Sequence, residues 1–263
     1  MFLAIDIGNT NITLGLFKFK ENVVEKNPIR IWRIATSKKK TVDEYATTIL
    51  DIFHYSDMDE KKLKAIAIAS VVPSLDNVFL ELTDLYFKKR AFFVTTKKSG
   101  GLKVSYGNPE EVGADRIADA VAVYKMYGGP AIVIDFGTAT TFDCIDAKGN
   151  YLGGAIAPGP AISAESLTQK TAKLPSVHIE LPQHPIGRST VECIQSGLYY
   201  GYIGLVKEIL LRLRQKMQPN VKIIATGGLA NLISKEIQEI KNIVPELTLE
   251  GIRIIWQKEN GKK

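Results

Sequence analysis

The strongest constraint on how this 263-residue chain can fold is a repeat within it. Residues 2–14 read FLAIDIGNTNITL, and residues 131–144 read AIVIDFGTATTFDC. Each begins as an aliphatic strand, ends in Asp-x-Gly, and continues into hydroxyl and amide residues and a second strand. Asp6 aligns with Asp135, Gly8 with Gly137, and Asn9-Thr10-Asn11 with Thr138-Ala139-Thr140. A strand that turns at once after Asp-x-Gly gathers backbone N–H groups in a concave loop, and glycine lets another molecule approach them. Hydroxyl and amide side chains add donors suited to phosphate oxygens. A carboxylate repels phosphate, so its place beside such a loop implies a cation or its bound water.

The surrounding elements repeat as well. Strands are expected at 2–7, 12–17 and 29–36. A helix then opens on the capping box Thr41-Val42-Asp43-Glu44 and runs to about residue 55. A buried strand at 65–72, a helix from Pro73 and a strand at 91–96 complete the first half. The second half repeats this order. A hairpin spans AIVIDFG and ATTFDCID, a third strand lies in GNYLGGAIAP, helices cover about 161–172 and 189–217, and VKIIATGG is a strand with a helix resuming near Ala230. This predicts a duplicated α/β architecture, each half a mixed sheet flanked by helices. The boundary falls near residues 112–130, giving domains 1–117 and 118–263.

Composition narrows the function class. Hydrophobic residues make up 45% and charged residues 24%, as in ordinary globular proteins. No apolar run is long enough to span a bilayer, and the opening MFLAI meets Asp6 too early for a signal-peptide core, so a cytoplasmic protein without membrane attachment is expected. Two cysteines and three scattered histidines offer neither a disulfide framework nor zinc spacing. The net charge of +6 comes from short lysine clusters at loops and helix ends without interleaved aromatics, so no nucleic-acid partner is expected. Walker and Rossmann phosphate motifs are both missing from the sequence.

A second informative stretch is YGNPEEVGADRIAD, residues 106–119. Asp115 and Arg116 fall in the first turn of a helix that starts after Gly113-Ala114. The spacing alone favours helix-dipole complementation and a surface ion pair over a reactive carboxylate.

DIGNT, GADR, DFGTATT and TGG, in this order and spacing, resemble the type III pantothenate kinases, which have the actin-like (ASKHA) ATPase fold of two RNase H-like domains. The likeness covers about residues 2–256. It implies a nucleotide cleft between the domains and ATP, with Mg2+, as co-substrate. Asp6, Ile7, Gly8, Asn9, Thr10, Asn11, Ile12 and Thr13 would hold the phosphates, joined by Thr138 from the second hairpin. By the same resemblance Asp115 is the general base for the pantothenate hydroxyl, and Tyr106, Gly113, Ala114, Asp115, Arg116 and Thr190 form the acceptor pocket. Asp135 would take a monovalent cation, K+ or NH4+. Gly227-Gly228 would lie along the adenosine, and a tight strand-to-helix turn explains that pair equally well. Tyr106 also reads as a packing residue, and Thr190 as part of a helix start in which Ser189 and Glu192 form a capping box. A homodimer is implied by the resemblance alone, since the apolar face and glycines of the helix from 189 read by themselves as intramolecular core. Another actin-fold kinase or phosphatase, or a non-catalytic regulatory binding protein, remain the alternatives.

Overall fold

The computed structural model describes residues 1–21, 23–171 and 173–261. The chain divides into two compact units, residues 1–122 with 247–263, and residues 123–246.

In the first unit the strands are β1 (Phe2–Ile7), β2 (Asn11–Phe17), the short β3 (Phe19–Lys20) and β4 (Val23–Val24), β5 (Arg30–Ala35), β6 (Ala65–Ser70) and β7 (Phe92–Phe93). The helices are α1 (Val42–Tyr55), α2 (Pro73–Leu85) and α3 (Ala114–Tyr127), the last continuing past residue 122 into the second unit. The main sheet runs β5-β2-β1-β6-β7. β1 is antiparallel to β2 and parallel to β6, as an Asp-x-Gly hairpin followed by a helical crossover requires. Leu3, Ile5 and Ile7 point to one face, where they pack with Tyr45, Ile49 and Phe53 of α1 and Leu75, Phe79 and Leu82 of α2. α1 starts where its capping box predicts. The Glu44 N–H donates to Thr41 Oγ1 at 3.3 Å, and the Thr41 N–H donates to Glu44 Oε2 at 2.8 Å.

The second unit repeats the design with β8 (Ala131–Phe136), β9 (Ala139–Ile145), β10 (Tyr151–Pro158), α4 (Pro160–Lys170), α5 (Thr190–Lys216), β11 (Lys222–Thr226), the single turn α6 (Ala230–Ile233) and β12 (Asn242–Ile243). Its sheet runs β10-β9-β8-β11-β12, matching the first strand for strand. The registers match too. Asp6 pairs with Thr13 across β1 and β2, and Asp135 with Thr141 across β8 and β9. Even-numbered Ile132, Ile134 and Phe136 pack with Tyr199, Tyr202, Ile203 and Val206 of α5, so Asp135 belongs to the opposite face. The sequence places the end of α4 at Ala172, which lies outside the described residues.

One helix escapes the strand-helix reading of the sequence. α7 (Leu247–Asn260) returns to the first unit, so a single cut after residue 117 does not describe the packing. It covers the second face of the first sheet, with the Trp256 ring 5.0 Å from that of Phe2. A buried ion pair fixes its start. Arg253 Nη2 lies 2.8 Å from Glu250 Oε2, and the Asn27 N–H donates to Glu250 Oε1 at 2.9 Å. α7 also presses against α3, because a Cβ at Gly251 would sit 2.0 Å from the Ala118 carbonyl oxygen. Gly251→Ala is therefore expected to cost about 2–3 kcal/mol through overpacking, read as a fall in the urea midpoint at unchanged slope. A neutral result would show that the two helices separate easily.

Candidate active site

The first hairpin turns tightly. The Gly8 N–H donates to the Asn11 carbonyl at 3.0 Å, and the Thr36 hydroxyl donates to the Gly8 carbonyl at 2.6 Å. Asn9, Thr10 and Asn11 are exposed, Asp6, Gly8 and Thr13 are partly buried, and Ile7 and Ile12 are in the core. The two isoleucines can thus offer a ligand only their backbone. The polar residues crowd the end of β1, where an approaching anion meets N–H groups and hydroxyls together.

Asp115 is close to that end of the sheet. The Val71 N–H, just beyond β6, donates to the Ile7 carbonyl at 3.0 Å, and a Cβ at Gly113 would lie 3.3 Å from Val71 Cγ1. The same Cβ would lie 2.5 Å from Asp115 Oδ1. Glycine at 113 thus leaves room for the carboxylate to fold back, where Oδ1 accepts from the Arg116 N–H at 2.7 Å. Burial pushes the Asp115 carboxyl above its ordinary value, against the downward pull of that N–H and of the Arg116 charge. A carboxyl kept from water yet reachable from the surface is a better proton acceptor than an exposed one. Arg116 is buried and Tyr106 exposed. A cavity of about 550 Å³ opens beside Gly113 and Ala114, walled also by Ser70, Asp76, Asn77 and Lys97. A larger one of about 890 Å³, at Lys207, Arg214 and Lys222, touches none of the predicted site residues, so size does not mark the chemistry. Gly113→Ala should still fold and lower kcat at least tenfold, about 1.4 kcal/mol, since the added methyl displaces chiefly the carboxylate, with the Val71 side chain giving slightly. Parental kcat in a steady-state assay would show that the carboxylate position does not matter.

In the second unit, Asp135 closes β8 beside Gly137 and Gly227. A Cβ at Gly227, where φ is +91°, would fall 2.3 Å from Asp135 Oδ1. Gly159 packs on the same turn, its missing Cβ leaving 2.2 Å to the Thr138 carbonyl oxygen. Thr138 itself is exposed. The hydroxyls that follow are not the extra phosphate donors that the sequence suggests. Thr140 is bonded to the Tyr202 hydroxyl on the core face, and Thr141 donates to Asp143 Oδ2 at 3.0 Å. Burial, reinforced by the charge of Asp135 and partly offset by the Thr140 bond, pushes the Tyr202 hydroxyl up to about 12.

Thr190 is exposed at the start of α5. Ser189 Oγ accepts from the Glu192 N–H at 3.3 Å, but Glu192 reaches the Arg188 N–H at 2.6 Å, one residue before the partner a capping box would use. Twelve residues separate Thr190 from Tyr202, about 18 Å of helix, so the unit does not bring Thr190 to Asp135. Sequence reading missed Asp143, Tyr151 and Tyr202 behind the second hairpin. The one available signal was a charged residue at an inward position of β9.

Among the described residues there is no group of three or more metal-binding side chains, and no helix is long and apolar enough to cross a membrane. Comparison with known proteins accounts for the motifs. A sequence profile of the type III pantothenate kinases matches residues 2–212. A type III pantothenate kinase of Endomicrobium trichonymphae is 55% identical over 258 residues, 98% of this chain and 99% of that one. Another from Moorella thermoacetica is 45% identical with the same coverage. Among solved structures, a Baf family transcriptional activator from Campylobacter jejuni aligns with a TM-score of 0.61 at 19% identity, covering 98% of this chain and 99% of that one. The activator of 2-hydroxyisocaproyl-CoA dehydratase from Clostridium difficile, with bound ADPNP, aligns at 0.54 and 12% identity, covering 99% and 95%. Those two likenesses concern the fold, which is that of the actin-like kinases and ATPases. With paired Asp-x-Gly hairpins, a partly buried carboxylate at the start of α3 and relatives matched over 98% of its length, the chain belongs to the type III pantothenate kinase family.

Proposed function

We propose that this protein transfers the γ-phosphoryl group of ATP to the primary hydroxyl of pantothenate, giving 4'-phosphopantothenate, the first step toward coenzyme A. The observation that carries the reading is Asp115: a desolvated carboxylate beside the Asp6–Thr13 hairpin, in a chain of this family. Backbone and side-chain donors of residues 6–13 hold the phosphates, with Thr138 contributing from the second hairpin. Asp115 orients the hydroxyl and accepts its proton late, because a loose phosphoryl-transfer transition state needs little prior deprotonation. Gly113, Ala114, Arg116 and Tyr106 shape the acceptor pocket, where the Arg116 guanidinium suits a carboxylate-bearing substrate.

Asp6 is the side chain placed to hold Mg2+ or its water, which would supply charge neutralisation on the phosphates. Asp135 fits a monovalent cation, K+ or NH4+. It is a hard oxygen donor in a cradle that a single Cβ at Gly227 would fill. A homodimer completes the reading, with Thr190 near the acceptor. It is supported by exposed Leu152 and Ile156 on the edge strand β10, and by Gly197, Gly201 and Gly204 of α5, which face open space rather than core. The cytoplasm is the compartment that fits an ATP-dependent step of this kind.

The test is a coupled ADP-release assay with and without pantothenate. ADP release that requires pantothenate is expected. Release without it points to another kinase or phosphatase of this fold, and none at all points to a binding protein.

A further inference from the structure

Asp143 is completely buried in β9, and both of its carboxylate oxygens are engaged. Oδ1 accepts from the hydroxyl of fully buried Tyr151 at 2.8 Å, and Oδ2 accepts from the Thr141 hydroxyl at 3.0 Å. Enclosing a carboxylate is unfavourable even when donors surround it, so its presence needs a reason. The fold does not supply one. In the matching register of the first sheet Ala4 pairs with Gly15, where the second has Val133 paired with Asp143. The same topology therefore forms with glycine at that place.

The reason lies in what Asp143 does to Thr141. A hydroxyl has one hydrogen and two lone pairs. Thr141 gives its hydrogen to Asp143, so the oxygen can offer only lone pairs elsewhere. Its direct cross-strand partner is Asp135, on the same face, where facing Cβ atoms lie about 4.5–5.5 Å apart. Phosphate oxygens need donors and cations need acceptors. A threonine locked as an acceptor beside a carboxylate suits the second.

We propose that Thr141 is a cation ligand alongside Asp135, and that Asp143, itself held by Tyr151, is the positioning residue that fixes the polarity of the Thr141 hydroxyl. The inference rests on the reading of Asp135 as a monovalent-cation site and deepens it. Thr141→Val keeps the branched shape and removes the lone pairs, while Thr141→Ser keeps them. In Asp143→Asn, Tyr151 retains the amide oxygen, so the amide NH2 turns to Thr141 and its hydroxyl hydrogen is released toward Asp135.

The readout is cation binding without turnover. The full-length protein is titrated with K+ against choline as the inert counter-cation, followed by thermal midpoint and calorimetry. The parent should show a K+-dependent midpoint, and Thr141→Ser should follow it. Thr141→Val and Asp143→Asn should each bind K+ about 10–100-fold more weakly, the range typical of losing a ligand or its support. Should Asp143→Asn fail to fold, Thr141→Val decides. A parent-like K+ response in Thr141→Val overturns the ligand role, and one in folded Asp143→Asn overturns the positioning role. No response in the parent overturns the cation reading of Asp135, and this inference with it.

Discussion

Replacing Asp115 by asparagine is expected to lower kcat by about 10²–10⁴-fold, the usual contribution of a positioned base, while ATP still binds and thermal stability at neutral pH rises. The three outcomes have one cause. The Asp115 carboxyl is removed from water, which lifts its proton affinity in the folded protein above that in the unfolded chain. A group shifted in this direction contributes its full stability only below the unfolded-state value, and loses it as pH rises through the higher folded-state value. At neutral pH the ionised carboxylate is therefore a burden on the fold. Asparagine removes the charge and can still accept from the Arg116 N–H. The acid limb of kcat/KM should also lie above the ordinary carboxylate range in the parent and vanish in the variant. A folded Asp115→Asn protein with parental kcat would remove Asp115 from the mechanism, and one clearly less stable than the parent at neutral pH would contradict the desolvation of its carboxylate.

Gly227→Ala is expected to destabilise the second unit by about 3 kcal/mol or more, combining left-handed backbone strain with overpacking. The residue sits at φ +91°, and a Cβ would meet not only Asp135 Oδ1 at 2.3 Å but also the backbone N and C of Phe136, both at 2.7 Å. The carboxylate could swing away, whereas the strand backbone is held by its pairings with β9 and β11. Gly228→Ala is the matched control, for nothing lies within 4 Å of a Cβ there. It should leave the denaturant midpoint unchanged and, if the adenosine lies along this turn, weaken ATP binding. Equal stability losses in both variants would mean that the turn, rather than its contact with β8, sets the cost.

Much of this arrangement is legible in the sequence because the signals are local. Asp-x-Gly after an aliphatic run marks both hairpins. Thr41 with Glu44 marks a helix start, and alternation in IRIWRIAT marks an edge strand that reads as β5. What stayed hidden depends on long-range packing. α7 carries apolar residues at 247, 249, 252, 254 and 255, enough to suggest a helix. Its return to the first unit is settled by the contacts of Gly15 with Leu249, Gly251 with Ala118 and Glu250 with Asn27, which no local pattern encodes. The hydroxyls of Thr140 and Thr141 look alike in the sequence, yet strand alternation sends one to Tyr202 and the other to Asp143. Whether a threonine serves a ligand or its own fold is decided by the strand face it occupies and the side chains it meets there.

We propose that binding of one nucleotide depends on both Asp-x-Gly hairpins, one in each unit. Calorimetric titration of a non-hydrolysable ATP analogue with Mg2+ into the parent, Gly8→Val and Gly137→Val tests it most directly, with circular dichroism to confirm folding. One nucleotide per chain in the parent, and severe weakening in each variant alone, is the predicted result. Two nucleotides per chain, or a folded Gly137→Val protein that binds as the parent does, would contradict it.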